Sequence, residues 1–153
     1  VGMHFFNPAD RMKLVEVITA PTTSTETTEH ALDLTRRLGK TPIVVSDTPG
    51  FVTSRLGLLL GNEAMRIVEE GVATAEDVDT AMRLGYRHPM GPLELADLVG
   101  LDARLNNLIS VSERTGRPEL APPRILVELV EAGRLGRKTG AGFYDYDADG
   151  NRR

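Results

Sequence analysis

The sequence predicts an α+β fold that is mainly α, in which a few strands of a mostly parallel sheet precede an all-helical domain. Two observations predict this order. Runs rich in β-branched residues are confined to residues 1–47, where the pattern indicates strand, strand, helix and strand. From residue 48 onward apolar residues recur at helical spacing, and Gly and Pro separate the segments. We therefore expect a small sheet domain over 1–47 and a helical domain over 48–153.

Three apolar runs are expected to form the strands of the first domain: residues 1–6, 13–18 and 41–46. Thr23 and Glu26 have the spacing of a capping box, which predicts a helix between the second and third strands, and Gly39 is expected to end it. A strand–helix–strand crossover is typical of a larger, mostly parallel sheet with helices on both faces.

The second domain is expected to contain five helices. Their expected ranges are 51–71, 75–84, 92–98, 102–113 and the segment from Pro122-Pro123 to Gly133. The segment 51–71 is apolar on more than one stripe, which predicts burial on several sides. Gly85 is expected to stop the second of these helices. Residues 136–146 are expected to form a glycine-rich turn and then an extended FYDY segment.

The composition excludes several classes of protein. With 41% hydrophobic and 26% charged residues among 153, the chain has the composition of a globular protein. The net charge of -4 and the lack of a basic tract argue against a nucleic-acid partner. The chain has no Cys, so it has no disulfide and no thiolate site. Its longest apolar stretch, 56–60, is too short to cross a membrane, and no signal peptide is recognised; we expect a cytoplasmic protein without membrane contacts.

One histidine and one glutamate are candidates for acid–base chemistry. His4 lies at the end of the first expected strand, at the sheet edge where ligands bind in α/β folds. Alternation in KLVEVI places Glu16 on an apolar face, which is costly unless the carboxylate is paired. The short connection can bring Glu16 to His4, and a carboxylate that orients an imidazole is a common general-base arrangement. The same pattern also fits a structural histidine and an unrelated strand-edge carboxylate, which spacing alone favours.

Other ligand sites have less support in the sequence. No His-x-x-x-His spacing occurs, so no metal site is expected. No G-x-G-x-x-G follows a strand, so we expect no phosphate-binding loop within these residues. Arg134, Arg137 and Lys138 form a small basic cluster, which fits either a phosphate contact or, more commonly, a solvated surface.

Five blocks of sequence, in order along the chain, resemble the 3-hydroxyacyl-CoA dehydrogenase family. They are GMHFFNP (2–8), KLVEVI (13–18), DTPGF (47–51), the stretch from HPMGP to DLVGLD (88–102) and KTGAGFY (138–144). The resemblance is strongest to short-chain, 3-hydroxybutyryl-CoA dehydrogenase-like members. It implies that 1–47 are the last strands of a Rossmann-type NAD-binding sheet and 48–153 the family's helical C-terminal domain. On that basis we expect a fragment that lacks most of the NAD-binding half.

The resemblance also implies a reaction and residue roles. The reaction is the NAD-linked oxidation of an L-3-hydroxyacyl-CoA to the 3-ketoacyl-CoA. His4 corresponds to the histidine that takes the hydroxyl proton, and Glu16 to the glutamate that orients it. Asn7 is expected near substrate and nicotinamide, and Lys138 near the cofactor. Ser54 stands where the family usually has an asparagine, so a hydrogen bond from it to the acyl carbonyl would have a shorter reach.

The expected partners are an acyl-CoA substrate, NAD and a second copy of the chain, with the helix over 51–71 as the candidate dimer contact. Two other functions stay open. In the first, the chain by itself is a non-catalytic helical dimerisation module that binds NAD weakly or not at all. Alternatively it is a sugar-acid dehydrogenase relative, although that branch tends to carry proline after the histidine, where this chain has Phe5.

Overall fold

A computed structural model describes every residue from Val1 to Arg153 and has the α+β fold, mainly α, that the sequence predicts. The strands are β1 (Gly2–Phe5), β2 (Leu14–Thr19) and β3 (Thr41–Ser46). The helices are α1 (Thr25–Arg37), α2 (Thr53–Glu69), α3 (Ala75–Tyr86), α4 (Pro92–Val99), α5 (Leu101–Thr115) and α6 (Arg124–Glu131). Short 3-10 turns cover Pro118–Leu120 and Arg137–Thr139.

The chain divides into two compact units, Val1–Thr53 and Ser54–Arg153. The first contains the sheet, α1 and the first residue of α2. The second contains the rest of α2 and all later helices. The domain boundary expected between residues 47 and 48 stays a prediction.

The first unit is a three-stranded sheet in the order β1-β2-β3. β1 and β2 are antiparallel, whereas β2 and β3 are parallel and are connected through α1. Val15, Val17 and Val45 of the sheet and Ala31 and Thr35 of α1 are buried. Burial of these apolar side chains is the main contribution that stabilises the small unit.

The predicted start of α1 is wrong by one residue. Ser24, and not Thr23, caps the helix, because its Oγ accepts a hydrogen bond from the Thr27 N–H at 3.1 Å. Thr23 closes the turn after β2 instead: its N–H donates to the Ala20 carbonyl at 2.9 Å, and its hydroxyl accepts from the Ala20 N–H at 3.0 Å. The sequence offers two neighbouring hydroxyl residues, and the turn uses the first of them.

The second unit packs its helices around one apolar core. The buried members of that core are Leu58, Ala64, Met65, Val78, Leu93, Ala96, Leu101, Leu108, Val111, Leu120 and Leu126. The predicted stop of α3 at Gly85 is wrong, since the helix continues to Tyr86 and Arg87 takes the left-handed conformation with φ 59°. The FYDY segment forms isolated bridges, such as Ala141 with Asp145, and no regular strand. None of the helices is long and apolar enough to cross a membrane.

Candidate active site

The structure brings His4 and Glu16 together on the paired strands β1 and β2 of the first unit. The two residues lie directly opposite each other on β1 and β2, because the antiparallel register pairs them. The distance from His4 Nδ1 to Glu16 Oε2 is 2.7 Å. The Glu16 side chain is fully buried, whereas the His4 side chain is 34% exposed. The imidazole is therefore anchored at one nitrogen and accessible elsewhere.

Both oxygens of the Glu16 carboxylate accept hydrogen bonds. Oε1 accepts from the backbone N–H groups of Val52 at 3.2 Å and Thr53 at 2.9 Å. Oε2 accepts from the Thr53 hydroxyl at 3.1 Å as well as from His4. Burial raises the pKa of Glu16, but the hydrogen bonds from His4, Thr53 and Val52 outweigh this effect and hold the pKa below its usual value. Glu16 is thus an anion at neutral pH, and Nδ1 of His4 is the donor in their bond.

A tight turn between β3 and α2 carries these donors to Glu16. The Phe51 N–H donates to the Thr48 carbonyl at 3.0 Å, and both Gly50 (φ 80°) and Phe51 (φ 44°) have left-handed backbone conformations. This conformation is uncommon for an aromatic residue and is strained. Because of this conformation, the N–H groups of Val52 and Thr53, at the start of α2, are directed at the Glu16 carboxylate. A helix N-terminus also favours a nearby negative charge.

The arrangement leaves Nε2 of His4 as the ring nitrogen that can take a proton. The ring lies near two aromatic side chains, with centroid distances of 4.7 Å to Phe6 and 5.8 Å to Phe51. Gly2 and Ile18 pair two positions further along the register, on the same face of the sheet, and line an open cavity of about 290 Å³ together with Phe51. An accessible imidazole that is oriented by a buried carboxylate can serve as a general base.

The other three predicted site residues occupy separate places. Asn7 follows β1 in the first unit; it is exposed and precedes a cis peptide bond to Pro8. Ser54 is the second residue of α2, in the second unit, and is half-buried. Lys138 lies in the 3-10 turn of the second unit, where its Nζ contacts both carboxylate oxygens of Asp102 at 2.5 and 2.6 Å. The hydrogen bond to Lys138 is the main cause that lowers the pKa of Asp102.

The basic cluster predicted near the C-terminal tail is paired with acidic groups. Arg134 donates to the Gly142 carbonyl and to Asp145, and Arg137 donates to Glu94 at 2.7 Å. With Lys138 bound to Asp102, each of the three cations has a carboxylate partner. Arg137 and Lys138 therefore attach the C-terminal tail, residues 136–146, to α4 and α5. The sequence did not predict this role.

Two buried aspartates of the second unit were also missed. Asp79 accepts from the Leu93 and Glu94 N–H groups at the start of α4 and from the Tyr144 hydroxyl. Asp97 accepts from the Phe143 and Tyr144 N–H groups and the Tyr146 hydroxyl. Burial raises the pKa of Asp97, and the hydrogen bonds oppose this effect without cancelling it. No local sequence pattern identifies these residues, because their partners lie 14 to 65 residues away.

Comparison with known protein families matches both parts of the chain to one family. Residues 1–48 match the family model described as "3-hydroxyacyl-CoA dehydrogenase, NAD binding domain". Residues 50–146 match the model described as "3-hydroxyacyl-CoA dehydrogenase, C-terminal domain". The two matches cover the sheet segment and the helical segment in the order that the resemblance implied.

Individual relatives extend the comparison to nearly the whole chain. The chain is 46% identical over 147 residues to 3-hydroxybutyryl-CoA dehydrogenase of Clostridioides difficile, covering 96% of this chain and 52% of the relative. It is 47% identical over 146 residues to mitochondrial hydroxyacyl-coenzyme A dehydrogenase of Homo sapiens, covering 95% and 46%. It thus spans about half the length of the curated relatives it matches.

A solved structure matches the fold as well as the sequence. The (S)-3-hydroxybutyryl-CoA dehydrogenase from Ralstonia eutropha superposes with a TM-score of 0.92 at 44% identity, over 95% of this chain and 52% of that one. Together with the two family models, this shows that the chain belongs to the 3-hydroxyacyl-CoA dehydrogenase family.

Proposed function

We propose that a full-length enzyme that contains these residues oxidises a short L-3-hydroxyacyl-CoA to the 3-ketoacyl-CoA with NAD, and that His4 is its general base. The observation that carries the proposal is the 2.7 Å contact between His4 Nδ1 and the buried, ionised Glu16. The contact fixes the tautomer in which Nε2 has a free lone pair. In the oxidation, Nε2 takes the proton of the substrate hydroxyl while the C3–H bond gives up a hydride and a C=O bond forms.

Glu16 has a distinct role in the same step. As Nε2 takes the proton, the imidazole becomes a cation whose Nδ1–H remains bound to the carboxylate. The attraction stabilises this cation, and the buried position of Glu16 weakens the competition from water. Since Glu16 has three further donors from Val52 and Thr53, it stays ionised throughout the reaction. In the reverse direction, the protonated His4 returns its proton to the carbonyl oxygen.

The residues present fit one end of a dinucleotide. NAD, when bound, supplies the acceptor for the hydride. His4 is accessible at the sheet edge and Asn7 is exposed beyond the end of β1, so both are available to a nicotinamide and a substrate. We propose Lys138 as a further cofactor contact and Ser54 as a hydrogen-bond donor to the substrate, both from the resemblance. No G-x-G-x-x-G follows a strand in 1–153, so we propose no diphosphate contact for these residues.

The substrate class is tested by turnover of the full-length enzyme. We expect acetoacetyl-CoA to be reduced with concomitant loss of NADH absorbance, and gulonate to be oxidised slowly or not at all. Faster turnover of gulonate would favour the sugar-acid dehydrogenase alternative. For the 153-residue chain alone, calorimetry should detect NAD binding weaker than micromolar, because diphosphate contacts dominate dinucleotide affinity. Micromolar binding would contradict this expectation.

We also propose that two copies associate through α2. The helix leaves two leucines uncovered on consecutive turns: Leu56 is 64% exposed and Leu60 is 38% exposed. Other apolar residues of α2, including Leu58 and Met65, are buried. Residues four apart lie on the same face of a helix, so the two leucines form one exposed apolar strip. A second copy of the chain is the partner that the family resemblance favours.

Leu56→Glu tests this association. A glutamate at this position would place a charge within the proposed apolar contact, so sedimentation velocity should show a dimer for the wild type and a monomer for the variant. Leu84→Glu is the matched control, because Leu84 is 79% exposed on α3 and is not part of the proposed contact. A monomeric wild type, or a dimer that survives Leu56→Glu, would contradict the proposal.

A further inference from the structure

Thr53 contacts the Glu16 carboxylate through two different groups. Its backbone N–H donates to Oε1 at 2.9 Å, and its side-chain hydroxyl donates to Oε2 at 3.1 Å. One residue thus binds both oxygens of the carboxylate. Such a two-point contact restricts rotation of the carboxylate about its terminal bond, which a single hydrogen bond does not.

The orientation of this carboxylate matters because His4 depends on one of its oxygens. His4 Nδ1 lies 2.7 Å from Oε2, the same oxygen that the Thr53 hydroxyl binds. An ionised carboxylate has about four acceptor sites, two on each oxygen. Here His4 and the Thr53 hydroxyl occupy Oε2, while the Val52 and Thr53 N–H groups occupy Oε1. The set of donors is complete, and only one of them is a hydroxyl.

We propose that Thr53 is a positioning residue: its hydroxyl holds Glu16 Oε2 in the orientation that the His4 ring requires. This inference rests on the proposed function of His4. The main-chain N–H groups hold Oε1 whatever the side chain at position 53 is. Without the hydroxyl, Oε2 would have His4 as its single donor, and the Oε2 side of the carboxylate would be held by the bond to the ring alone.

The groups that act on Glu16 all belong to the first unit. They are His4 from β1, the Val52 and Thr53 N–H groups and the Thr53 hydroxyl. His4 is the one titratable group among them. On the other side of β2, the register partner of Glu16 is Ile43 of β3, which has no titratable group. The hydroxyl is one of the causes that lower the pKa of Glu16, so its removal should raise that pKa. The direct readout is therefore the titration of Glu16 itself, which does not require activity.

The experiment compares three variants of the 153-residue chain by carbon-13 NMR titration of the Glu16 carboxyl. Thr53→Val has nearly the same shape without the hydroxyl, and we expect it to raise the pKa of Glu16 measurably above that of the wild type. Thr53→Ser keeps the hydroxyl and should titrate as the wild type does. Thr48→Val is the matched control, because the Thr48 hydroxyl is exposed and donates to the Ser46 carbonyl. An unchanged pKa of Glu16 in Thr53→Val would overturn the inference.

If Thr53→Val does not fold, the wild-type chain provides a second measurement. A hydroxyl that donates to a buried carboxylate exchanges its proton slowly with water, so the Thr53 hydroxyl proton should be visible and protected in NMR spectra. A hydroxyl proton that exchanges as fast as that of exposed Thr48 would overturn the inference as well.

The full-length enzyme separates positioning from a merely structural contact. We expect Thr53→Val to lower kcat roughly threefold to tenfold with KM unchanged, and Thr53→Ser to restore it. Suppose that His4→Gln inactivates the enzyme, and that Thr53→Val raises the pKa of Glu16 but leaves kcat unchanged. The contact between Thr53 and Glu16 would then be merely structural, and the inference would be overturned. If His4→Gln is itself fully active, the proposed function fails, whereas the NMR result for Thr53 and Glu16 is unaffected.

Discussion

Replacing His4 by glutamine is expected to lower the turnover of the full-length enzyme by about 10²–10⁴-fold, the usual contribution of a general base. Glutamine can still donate a hydrogen bond to Glu16 but cannot take a proton from the substrate hydroxyl at neutral pH. The substrate KM should change little, because the imidazole acts on a proton that moves in the transition state. Steady-state reduction of acetoacetyl-CoA by NADH measures both quantities.

His30→Gln is the matched control for this prediction. His30 lies exposed on α1, so its replacement should leave both kcat and KM at their wild-type values. A His4→Gln enzyme with wild-type turnover would remove His4 from the mechanism. Equal losses in both variants would indicate a general effect of the substitution on folding and not on catalysis.

Replacing Gly142 by alanine is expected to lower the free energy of unfolding of the second unit by about 3 kcal/mol. A Cβ at position 142 would lie 2.0 Å from Asp97 Oδ1, which is a severe overlap. Asp97 is buried and accepts hydrogen bonds from the Phe143 N–H, the Tyr144 N–H and the Tyr146 hydroxyl. The carboxylate cannot move without leaving these buried donors unpaired. Urea denaturation followed by circular dichroism measures the loss.

Gly85→Ala is the control for the overlap at Gly142. A Cβ at Gly85 meets no atom within 4 Å, and the residue lies in the last turn of α3. Alanine there should leave the unfolding midpoint unchanged or raise the stability by up to about 1 kcal/mol. A Gly142→Ala chain as stable as the Gly85→Ala chain would contradict the prediction. It would show that the segment around residue 142 moves to accommodate the methyl group, and that the contacts to Asp97 do not hold this segment rigidly.

Much of the candidate site follows from local sequence. The alternation of KLVEVI places Glu16 on a face where an unpaired carboxylate is costly, and the short connection from β1 makes His4 an available partner. The register of two antiparallel strands then puts the residues opposite each other. The strands and the helical second unit follow from patterns of this short range, because period-2 and helical spacing depend on neighbouring residues. The family follows from the resemblance of five ordered sequence blocks and not from periodicity.

The predicted start of α1 and the predicted end of α3 are wrong because the sequence offers more than one suitable residue at each of these helix ends. Thr23 and Ser24 are both good helix caps, and the turn after β2 recruits the first of them. Gly85 is a good helix stop, but α3 ends two residues later with Arg87 in the left-handed conformation. Local preferences differ by about 1 kcal/mol or less in such cases, so packing decides between them.

The sequence by itself determined the fold class, the membership of the family and the pairing of His4 with Glu16 as a candidate. The tertiary structure decided which groups complete the Glu16 carboxylate and which residues bind the tail. Thr53 reaches Glu16 across 37 positions of sequence, and Tyr144 reaches Asp79 across 65. A buried carboxylate requires hydrogen-bond donors, but the requirement does not specify where in the chain they come from. Only the folded path of the backbone makes that selection.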